Sequence, residues 1–517
     1  MKSLQKLAMV WGAVESLRPT LVPRNTLHQA LVTGACVATT GLAAAAAPAV
    51  PVRAPKWLVP AALAVAGVRA VVHVRSQRRS FPDWDPRPQN TPLGLAAGVV
   101  AGLAVVRVPR VSARLGTYAG ASLAARYGGP APLWTAAVAT AAGAGLAGLL
   151  GTALSRELAD LRATGLRADP PLTRPPGSPY VSGGPGSLVD YDTLARDGRR
   201  FVWFRTPAEQ IRTVSGEAEE PVRVYVGVRS APTVEQRVEL AMAELERLGG
   251  LGRSNLLVMS PAGSGYADYV AAEAFECLTG GDCATVAIQY GVLPSMWSLA
   301  KVPSGARTVR TLLDRIATRV AGSAHQPRVL LYGESLGAEV AQDALRYEPS
   351  RVDDAARVRG LDAVICVGTP GGRSLRNDLL HSPDVVHLDR WQQLTGAEQA
   401  TLWFLDHDAD PVAHWDAALA FRPPAWLRSR GRNVPAAMSW RPVLTWWQVA
   451  FDLVFAAQQA SGVFRSVGHD YRADLPHVLA AAIGRDADLD PVISLLAQRE
   501  VHRDALLAET TASSLPH

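Results

Sequence analysis

The sequence predicts an α/β fold, a mostly parallel sheet with helices on both faces, preceded by an all-α transmembrane domain. Two observations predict it. The residues up to about Leu154 are dominated by Ala, Val, Leu and Gly with few acidic residues, whereas the remainder has mixed charge. In that remainder, short apolar runs alternate with segments of helical spacing, which is typical of strands buried on both faces of a parallel sheet. At 517 residues the chain is also longer than one hydrophobic core usually supports.

Four apolar stretches in the first part of the chain predict membrane helices. They are Thr26 to Val50, Trp57 to Val74, Thr91 to Val106, and Pro132 to Leu154. The first and fourth reach the ~20 residues that cross the hydrocarbon layer. The second carries Arg69 and the third is short, so a buried core helix or a hairpin within the membrane is the alternative for these two. We expect a multi-pass membrane domain of about four helices at 1–155.

Charge and cysteine content narrow the class of protein. Lys and Arg are more numerous on the side of the membrane domain that carries both its ends, which places that side in the cytoplasm by the positive-inside rule. The net charge of +6 is small. The second half of the chain has no basic run with interleaved aromatic residues, which is the pattern that would predict nucleic-acid binding. The expected partner is therefore a lipid bilayer. Of the four cysteines, only Cys277 and Cys283 are close in sequence, and two free thiols are favoured over a disulfide.

A segment rich in Pro and Gly, Asp169 to Gly186, suits neither a helix nor a strand. It predicts a linker at 156–186 and a second domain at 187–517. Strands are expected at Val222 to Val228, Asn255 to Ser260, Ala284 to Ile288, Arg328 to Tyr332, Asp362 to Val367, and Thr401 to Leu405. Helices are expected at Thr233 to Leu248, Ala306 to Ala321, and Ser335 to Leu345. In such folds the chemistry collects at the carboxyl ends of the strands.

The strand Arg328 to Tyr332 runs directly into Gly-Glu-Ser-Leu-Gly, and helix formers follow. A G-x-S-x-G pentapeptide alone is a weak signal, but between a strand and a helix it predicts a tight turn that presents the serine hydroxyl above the sheet. Ser335 is therefore the expected nucleophile. An accidental turn of small residues is the alternative.

A serine hydroxyl needs a base and an orienting carboxylate, which follow in the order Ser, acid, His in this kind of site. Asp410, fixed by the adjacent proline, lies in the loop after the last predicted strand, and Asp408 is the alternative acid. His469, in a Gly-flanked loop, is the expected base, in preference to His477 and His502 in helix-like surroundings.

The negative charge that forms on the attacked carbonyl oxygen needs two backbone N–H donors. One is expected from Leu336, directly after the nucleophile, and the other from Gly263 or Ser264 in the Gly-rich loop after the second strand. A simple turn without a catalytic role is the alternative for this loop. It lacks the Lys and Ser or Thr of a phosphate-binding P-loop.

Several segments resemble one family, the bacterial α/β-hydrolase proteins that carry a multi-helix membrane N-terminus and an α/β-hydrolase catalytic C-terminus. They are Leu17 to Arg24, Ser182 to Leu188, Arg223 to Gly227, Gly333 to Gly337, Asp410 to Val412, and Gly468 to Tyr471. By that resemblance the fold is of the α/β-hydrolase type and the triad is Ser335, Asp410 and His469. The family implies hydrolase chemistry without a substrate. The loop Pro261 to Gly265 departs from it, since threonines are expected beside the glycines.

These features predict a membrane-anchored serine hydrolase acting on a hydrophobic ester or thioester, without a cofactor or a metal. Seven of the 13 tryptophans lie between Trp391 and Trp447, and Leu444 to Phe455 reads as an apolar helix that caps the site, touches the bilayer or packs in a core. An acyltransferase with the same triad, a non-catalytic membrane scaffold, and a metal-dependent hydrolase are the alternatives. The last would use the cluster His407, Asp408, Asp410 and His414. The sequence leaves the oligomeric state open.

Overall fold

The computed structural model describes residues 2–46, 57–81, 91–127, 159–346, 360–372, 375–379, 385–396, 400–457 and 459–513, and positions 130, 132, 152 and 155–157. Two compact units form. Met1–Leu158 and His414–Ala457 make up the first, called here the helical unit. Ala159–Ala413 and Gln458–His517 make up the second, called the α/β unit. The sequence analysis assigned His414–Ala457 to the second domain, whereas these residues pack with the first.

Seven strands form one parallel sheet in the α/β unit, in the order β1-β3-β2-β4-β5-β7-β6. The strands are β1 Val222–Val226, β2 Asn255–Ser260, β3 Cys283–Ile288, β4 Arg328–Glu334, β5 Ala363–Val367, β6 Val385–Leu388 and β7 Leu402–Leu405. Every residue of β1, β3, β5 and β7 is buried, so both faces of the sheet are covered. The predicted α/β fold is confirmed.

Strand β6 has no counterpart among the predicted strands. It lies at one edge of the sheet, pairs only with β7, and buries only Leu388 of its four residues. Its pattern is too short and too exposed to be distinguished from a loop by periodicity.

Helices occur in both units. They are α1 Lys2–Glu15, α2 Thr26–Ala46, α3 Leu58–Ser80, α4 Thr91–Tyr127, α5 Arg196–Trp203, α6 Ala208–Ser215, α7 Val234–Arg247, α8 Tyr269–Leu278, α9 Val302–Ala321, α10 Leu336–Leu345, α11 Leu375–Leu379, α12 Pro411–His414, α13 Leu444–Val454, α14 Leu475–Ala482 and α15 Asp490–Ser513. Helices α7, α9 and α10 correspond to the three predicted ones. They pack together, while α8, α14 and α15 form a second group.

Local sequence explains where the helices around the sheet begin. Thr233 and Gln236 form a capping box at the start of α7, each side chain bonding to the other's backbone N–H. Asp268 caps α8 by accepting hydrogen bonds from the first backbone N–H groups of that helix. These caps fix the connections that lead from the sheet into its covering helices.

The Pro/Gly-rich segment from 169 to 186 packs within the α/β unit. Leu172, Val181 and Ser182 are buried. Ser182 N–H donates to the Arg223 carbonyl at 3.0 Å, and Val181 forms a parallel bridge with Arg223 on β1. The segment therefore extends the β1 edge of the sheet, although its composition excludes a regular strand.

Among its described residues, the helical unit contains two helices that are long and apolar enough to cross a membrane, Thr26–Ala46 and Val59–Ser80. They coincide with the first two predicted stretches. The third lies at the start of α4, where Thr91–Arg107 forms a shorter apolar helical segment. The fourth falls outside the described residues except at isolated positions. The number of spans therefore stays a prediction.

Buried polar contacts join the turn between α1 and α2 to the segment His414–Ala457. One Asp452 carboxylate oxygen accepts the Leu21 N–H at 2.9 Å, and the other lies 3.1 Å from His28 Nε2. Arg18 donates to Ser439 Oγ at 2.7 Å. The run Leu17 to Arg24 thus holds a segment more than 400 positions away in sequence.

The four cysteines are free and buried, and Cys277 and Cys283 do not form a disulfide.

Candidate active site

The turn between β4 and α10 has the backbone strain of a nucleophile-bearing turn. Ser335 adopts φ 54° and ψ −124°, and only one other non-glycine residue in the described chain has a positive φ. Such a conformation costs on the order of 1–3 kcal/mol and persists only where its surroundings impose it. Here Ser335 N–H donates to the carbonyl oxygen of Val367 on the neighbouring strand β5 at 2.9 Å. This hydrogen bond helps to hold Ser335 in its strained conformation.

Close backbone approach explains both glycines of the pentapeptide. A Cβ on Gly337 would overlap the carbonyl oxygen of Ser260, where β2 ends. A Cβ on Gly333 would stand 2.5 Å from the carbonyl oxygen of Gly337. The helix therefore starts against the sheet at a distance that only glycine permits, which gives the G-x-S-x-G spacing a steric cause.

Asp410 and His469 form a buried hydrogen-bonded pair. His469 Nδ1 lies 2.7 Å from Asp410 Oδ2, and because a carboxylate only accepts, Nδ1 carries the proton. Tyr471 donates its hydroxyl to the same oxygen at 2.6 Å, and Val412 N–H donates to Oδ1 at 2.8 Å. The pair has the geometry of a base oriented by an acid. Asp408, the alternative acid, is half-buried two residues earlier.

Opposing effects set the charges of this pair. Burial alone would raise the pKa of Asp410, but the adjacent His469 and the hydrogen bonds from His469, Tyr471 and Val412 N–H hold it below its ordinary value. Burial would lower the pKa of His469, but the charge and hydrogen bond of Asp410 raise it above the ordinary histidine value. An ionised carboxylate therefore stabilises an imidazolium when one forms.

The other ring nitrogen of His469 faces the turn that carries Ser335. Its Nε2 lies 3.9 Å from Oε1 of Glu334, the residue directly before the nucleophile. Gly368, with φ +55°, leaves the room that the ring needs, since a Cβ there would lie 2.6 Å from His469 Cε1. The preceding residue, Val367, accepts the Ser335 N–H. The structure thus brings Ser335, His469 and Asp410 to the carboxyl ends of β4, β5 and β7.

The candidate oxyanion donors lie on the two elements that meet at Gly337. Leu336 is the first residue of α10, where backbone N–H groups have no partner within the helix. In the loop after β2, the N–H groups of Ala262 and Gly265 are used within the loop. Those of Gly263 and Ser264 have no acceptor among the described residues. Leu336, Gly263 and Ser264 remain the candidates.

Neighbouring side chains hold this loop firmly in place. Ser264 Oγ donates to Asp197 Oδ2 at 2.6 Å, and Gln289 Nε2 donates to the Ser264 carbonyl at 2.7 Å. Tyr225 OH donates to the Gly265 carbonyl at 2.7 Å. The carbonyl groups of this loop are bound, so its free N–H groups are fixed in direction.

A cavity of about 190 Å³ borders the site and is predominantly polar. Its lining includes Arg200, Tyr266, Asp268, Tyr269, Val270, Glu334, Gln459, Tyr471, Arg472, Leu475, Glu500, Arg503, Asp504 and Leu507. Tyr332 OH donates to Asp268 Oδ2 at 2.8 Å, and Glu334 hydrogen-bonds to the same carboxylate. Burial and the negative charge of Asp268 raise the pKa of Glu334 well above its ordinary value, which favours the uncharged carboxyl group.

The alternative histidines and the proposed metal cluster have other environments. His477 stacks on Trp391 with the ring centroids 3.8 Å apart, and His502 is exposed. Among the described residues, no group of three or more His, Cys, Asp or Glu side chains is arranged as a metal site. His407 bonds through one ring nitrogen to Asp474 and through the other to the Gly468 carbonyl.

The sequence analysis did not predict that Tyr471, Asp268 or His407 takes part in the candidate site. Tyr471 lies two residues after His469, and an acidic residue just before an apolar helix is a recognised N-cap signal that indicates Asp268. Nothing in the sequence indicates that His407 contacts Gly468, because the two are separated by 61 positions.

Two family profiles match the chain. A profile described as "Alpha/beta-hydrolase family" matches residues 222–491, just over half of the sequence. A profile described as "Alpha/beta-hydrolase family N-terminus" matches residues 17–203. No curated protein and no solved structure matches the chain significantly.

Proposed function

Because the chain belongs to the alpha/beta-hydrolase family and so has a hydrolase-like function, we propose that it is a membrane-anchored serine hydrolase that cleaves a hydrophobic acyl ester through an acyl-enzyme on Ser335. One observation carries the proposal. A strained serine ends the central strand directly after Glu334, and the Glu334 carboxyl lies 3.9 Å from Nε2 of a buried imidazole whose other ring nitrogen is bonded to a carboxylate. This is the arrangement that makes a serine hydroxyl nucleophilic.

The proposed reaction begins with His469 Nε2 taking the hydroxyl proton while Ser335 Oγ attacks the ester carbonyl carbon. Negative charge then develops on the carbonyl oxygen, and the N–H of Leu336 with that of Gly263 or Ser264 donates to it. Collapse of this intermediate breaks the bond to the leaving alcohol, which receives the proton from Nε2. Water then attacks the acyl-enzyme by the same path, releasing the carboxylic acid and the free serine.

Asp410 has two roles in this scheme. It holds the proton of His469 on Nδ1, so that Nε2 is free to accept the serine proton, and it stabilises the imidazolium that follows. Its second donor, Tyr471 OH, fixes the carboxylate plane. The raised pKa of His469 sets the pH below which the base is protonated and the reaction stops.

The proposed location is the membrane, with a hydrophobic substrate reached from the bilayer. Thr26–Ala46 and Val59–Ser80 supply two apolar helices for this anchor. The excess of Lys and Arg on the side of both ends of the membrane domain supports a multi-pass arrangement with the α/β unit in the cytoplasm. Protease added to intact cells should spare the α/β unit, whereas protease added to inverted membrane vesicles should digest it.

Ester turnover by the purified full-length chain in detergent or lipid nanodiscs tests the chemistry. A series of p-nitrophenyl esters of increasing acyl length should be hydrolysed, with preference for the longer chains. The activity should disappear in Ser335→Ala and survive a chelator. Turnover that persists in Ser335→Ala, or that a chelator abolishes, would overturn the serine mechanism.

Product analysis separates a hydrolase from the alternatives. A hydrolase releases the free carboxylic acid, whereas an acyltransferase gives a new ester when a second alcohol is added. A non-catalytic scaffold forms neither product. Ester as the main product at low alcohol concentration would replace the hydrolase by the acyltransferase.

A further inference from the structure

We propose that His407 is a positioning residue of the site, whose buried ring joins the loop carrying the acid to the loop carrying the base. This inference rests on the proposed serine hydrolase function. Residue 407 lies in the loop after β7, three positions before Asp410, and its side chain is fully buried. It does not touch the reacting atoms and acts through His469 and Asp410.

The contacts of His407 reach the base loop at two points. Its Nδ1 lies 2.9 Å from the carbonyl oxygen of Gly468, the residue directly before His469. Its ring stacks on Tyr471, two residues after His469, with the centroids 4.0 Å apart. The catalytic histidine is therefore held on both sides by one buried ring.

A backbone contact of His407 reaches the acid. Its N–H donates to Tyr471 OH at 3.0 Å, and that hydroxyl donates to Asp410 Oδ2. The same carboxylate oxygen accepts the proton of His469 Nδ1. Asp410 N–H in turn donates to the His407 carbonyl at 3.1 Å. The acid and the base are thus closed into one hydrogen-bonded network through residue 407.

Both ring nitrogens of His407 have a partner. Gly468 offers a carbonyl oxygen, which only accepts. Asp474 offers Oδ2 at 3.0 Å from Nε2, while its Oδ1 accepts from Trp391 N–H at 2.8 Å and Ser466 Oγ at 3.1 Å. The ring of His407 therefore joins Gly468 to Asp474, which is itself bound to two further groups.

His469 accepts the serine proton in the proposed reaction, whereas His407 holds Gly468 and Asp474 together and so fixes where that base lies. A displacement of the base by about 1 Å can cost on the order of 100-fold in rate. Loss of the two hydrogen bonds of the His407 ring should therefore slow the chemical step and leave the binding of a reagent unchanged.

The test measures labelling of the full-length chain by a fluorophosphonate, with the rate constant at saturation, the reagent concentration at half-saturation and the final stoichiometry recorded separately. His407→Phe keeps an aromatic ring for Tyr471 but loses both ring hydrogen bonds. We expect its saturating rate constant to fall about 100-fold, with unchanged half-saturation and stoichiometry. A purely structural role would lower the stoichiometry instead, because fewer molecules would be folded.

Two further variants keep the proposal falsifiable. Asp474→Asn is isosteric and replaces the carboxyl group that His407 Nε2 contacts by an amide, so its rate constant should fall about 10-fold. His477→Phe is the matched control, another imidazole, which stacks on Trp391 instead of Tyr471, and its rate should stay within about twofold of wild type.

The outcomes separate this proposal from the function beneath it. Wild-type labelling that is lost in Ser335→Ala supports the function, and a wild-type rate in both His407→Phe and Asp474→Asn then overturns the positioning role alone. A reduced stoichiometry at a wild-type rate constant also overturns it. Absence of wild-type labelling at Ser335 overturns the function and this inference together.

Discussion

Replacing Asp410 by asparagine removes one charge from the site and changes little else in volume. In the structure, Oδ2 of Asp410 accepts two hydrogen bonds, from His469 Nδ1 at 2.7 Å and from Tyr471 OH at 2.6 Å. An amide NH₂ at this position would oppose two donors. If the amide turns its oxygen toward them, its NH₂ faces the N–H of Val412, which now donates to Oδ1 at 2.8 Å. Either orientation leaves donors unpaired in a buried site.

The expected rate loss follows from the histidine tautomer. Unless Nδ1 keeps its proton, Nε2 carries it and cannot act as the base. The imidazolium also loses the carboxylate that stabilises it. Together these effects should lower the rate of fluorophosphonate labelling by on the order of 10³- to 10⁴-fold. Asp408→Asn is the matched control, since it removes a carboxylate from the same loop, and its rate should change by less than about threefold.

The pH profile gives a second readout of the same substitution. Asp410 raises the pKa of His469, so wild-type labelling should fall as the pH drops through a value above that of an ordinary histidine. Without the carboxylate this pKa falls, and the acid limb of the residual activity should move to lower pH. Equal losses in the two variants, or an unmoved acid limb in Asp410→Asn, would refute the assignment of the acid.

Three further substitutions test the packing around the site and in the helical unit. Arg223→Met should lower the free energy of unfolding by about 3–5 kcal/mol in thermal or denaturant unfolding, because it leaves the fully buried Glu276 without its bidentate partner, and adding Glu276→Leu should recover most of the loss. Unchanged stability in the single variant would contradict this account. Gly337→Ala should slow labelling at least about 100-fold, since its Cβ overlaps a backbone carbonyl and the turn must shift, and a wild-type rate would be inconsistent with the tight turn. Asp452→Asn should speed proteolysis within His414–Ala457, because it weakens the buried contacts that hold this segment; an unaltered digestion pattern would show that they are dispensable.

The sequence was sufficient to predict six of the seven strands and to select three triad candidates, whose catalytic roles stay a prediction. Fully buried strands such as β5 and β7 are continuous apolar runs, and the turn at Ser335 needs two glycines that are visible in the pattern. The order of nucleophile, acid and base along the chain then limited the choice to a few residues. The apolar runs and the glycine pattern are encoded locally, each within a short stretch of sequence.

Features that depend on distant contacts escaped prediction. The edge strand β6 is identified by its pairing with β7 rather than by its own four residues. His407 looked like part of a metal cluster because the residues nearby in sequence are acidic, whereas its ring partners lie more than 60 positions away. The segment His414–Ala457 was assigned by its neighbours in sequence, although buried contacts join it to the turn between α1 and α2.

Peptide mapping by mass spectrometry after reaction with a fluorophosphonate tests the central claim most directly. The account predicts one adduct per chain, located on the hydroxyl of Ser335, with none formed after His469→Ala within the time that labels the wild type completely. An unmodified Ser335 peptide, an adduct on another serine, or equally fast labelling without the imidazole would contradict it.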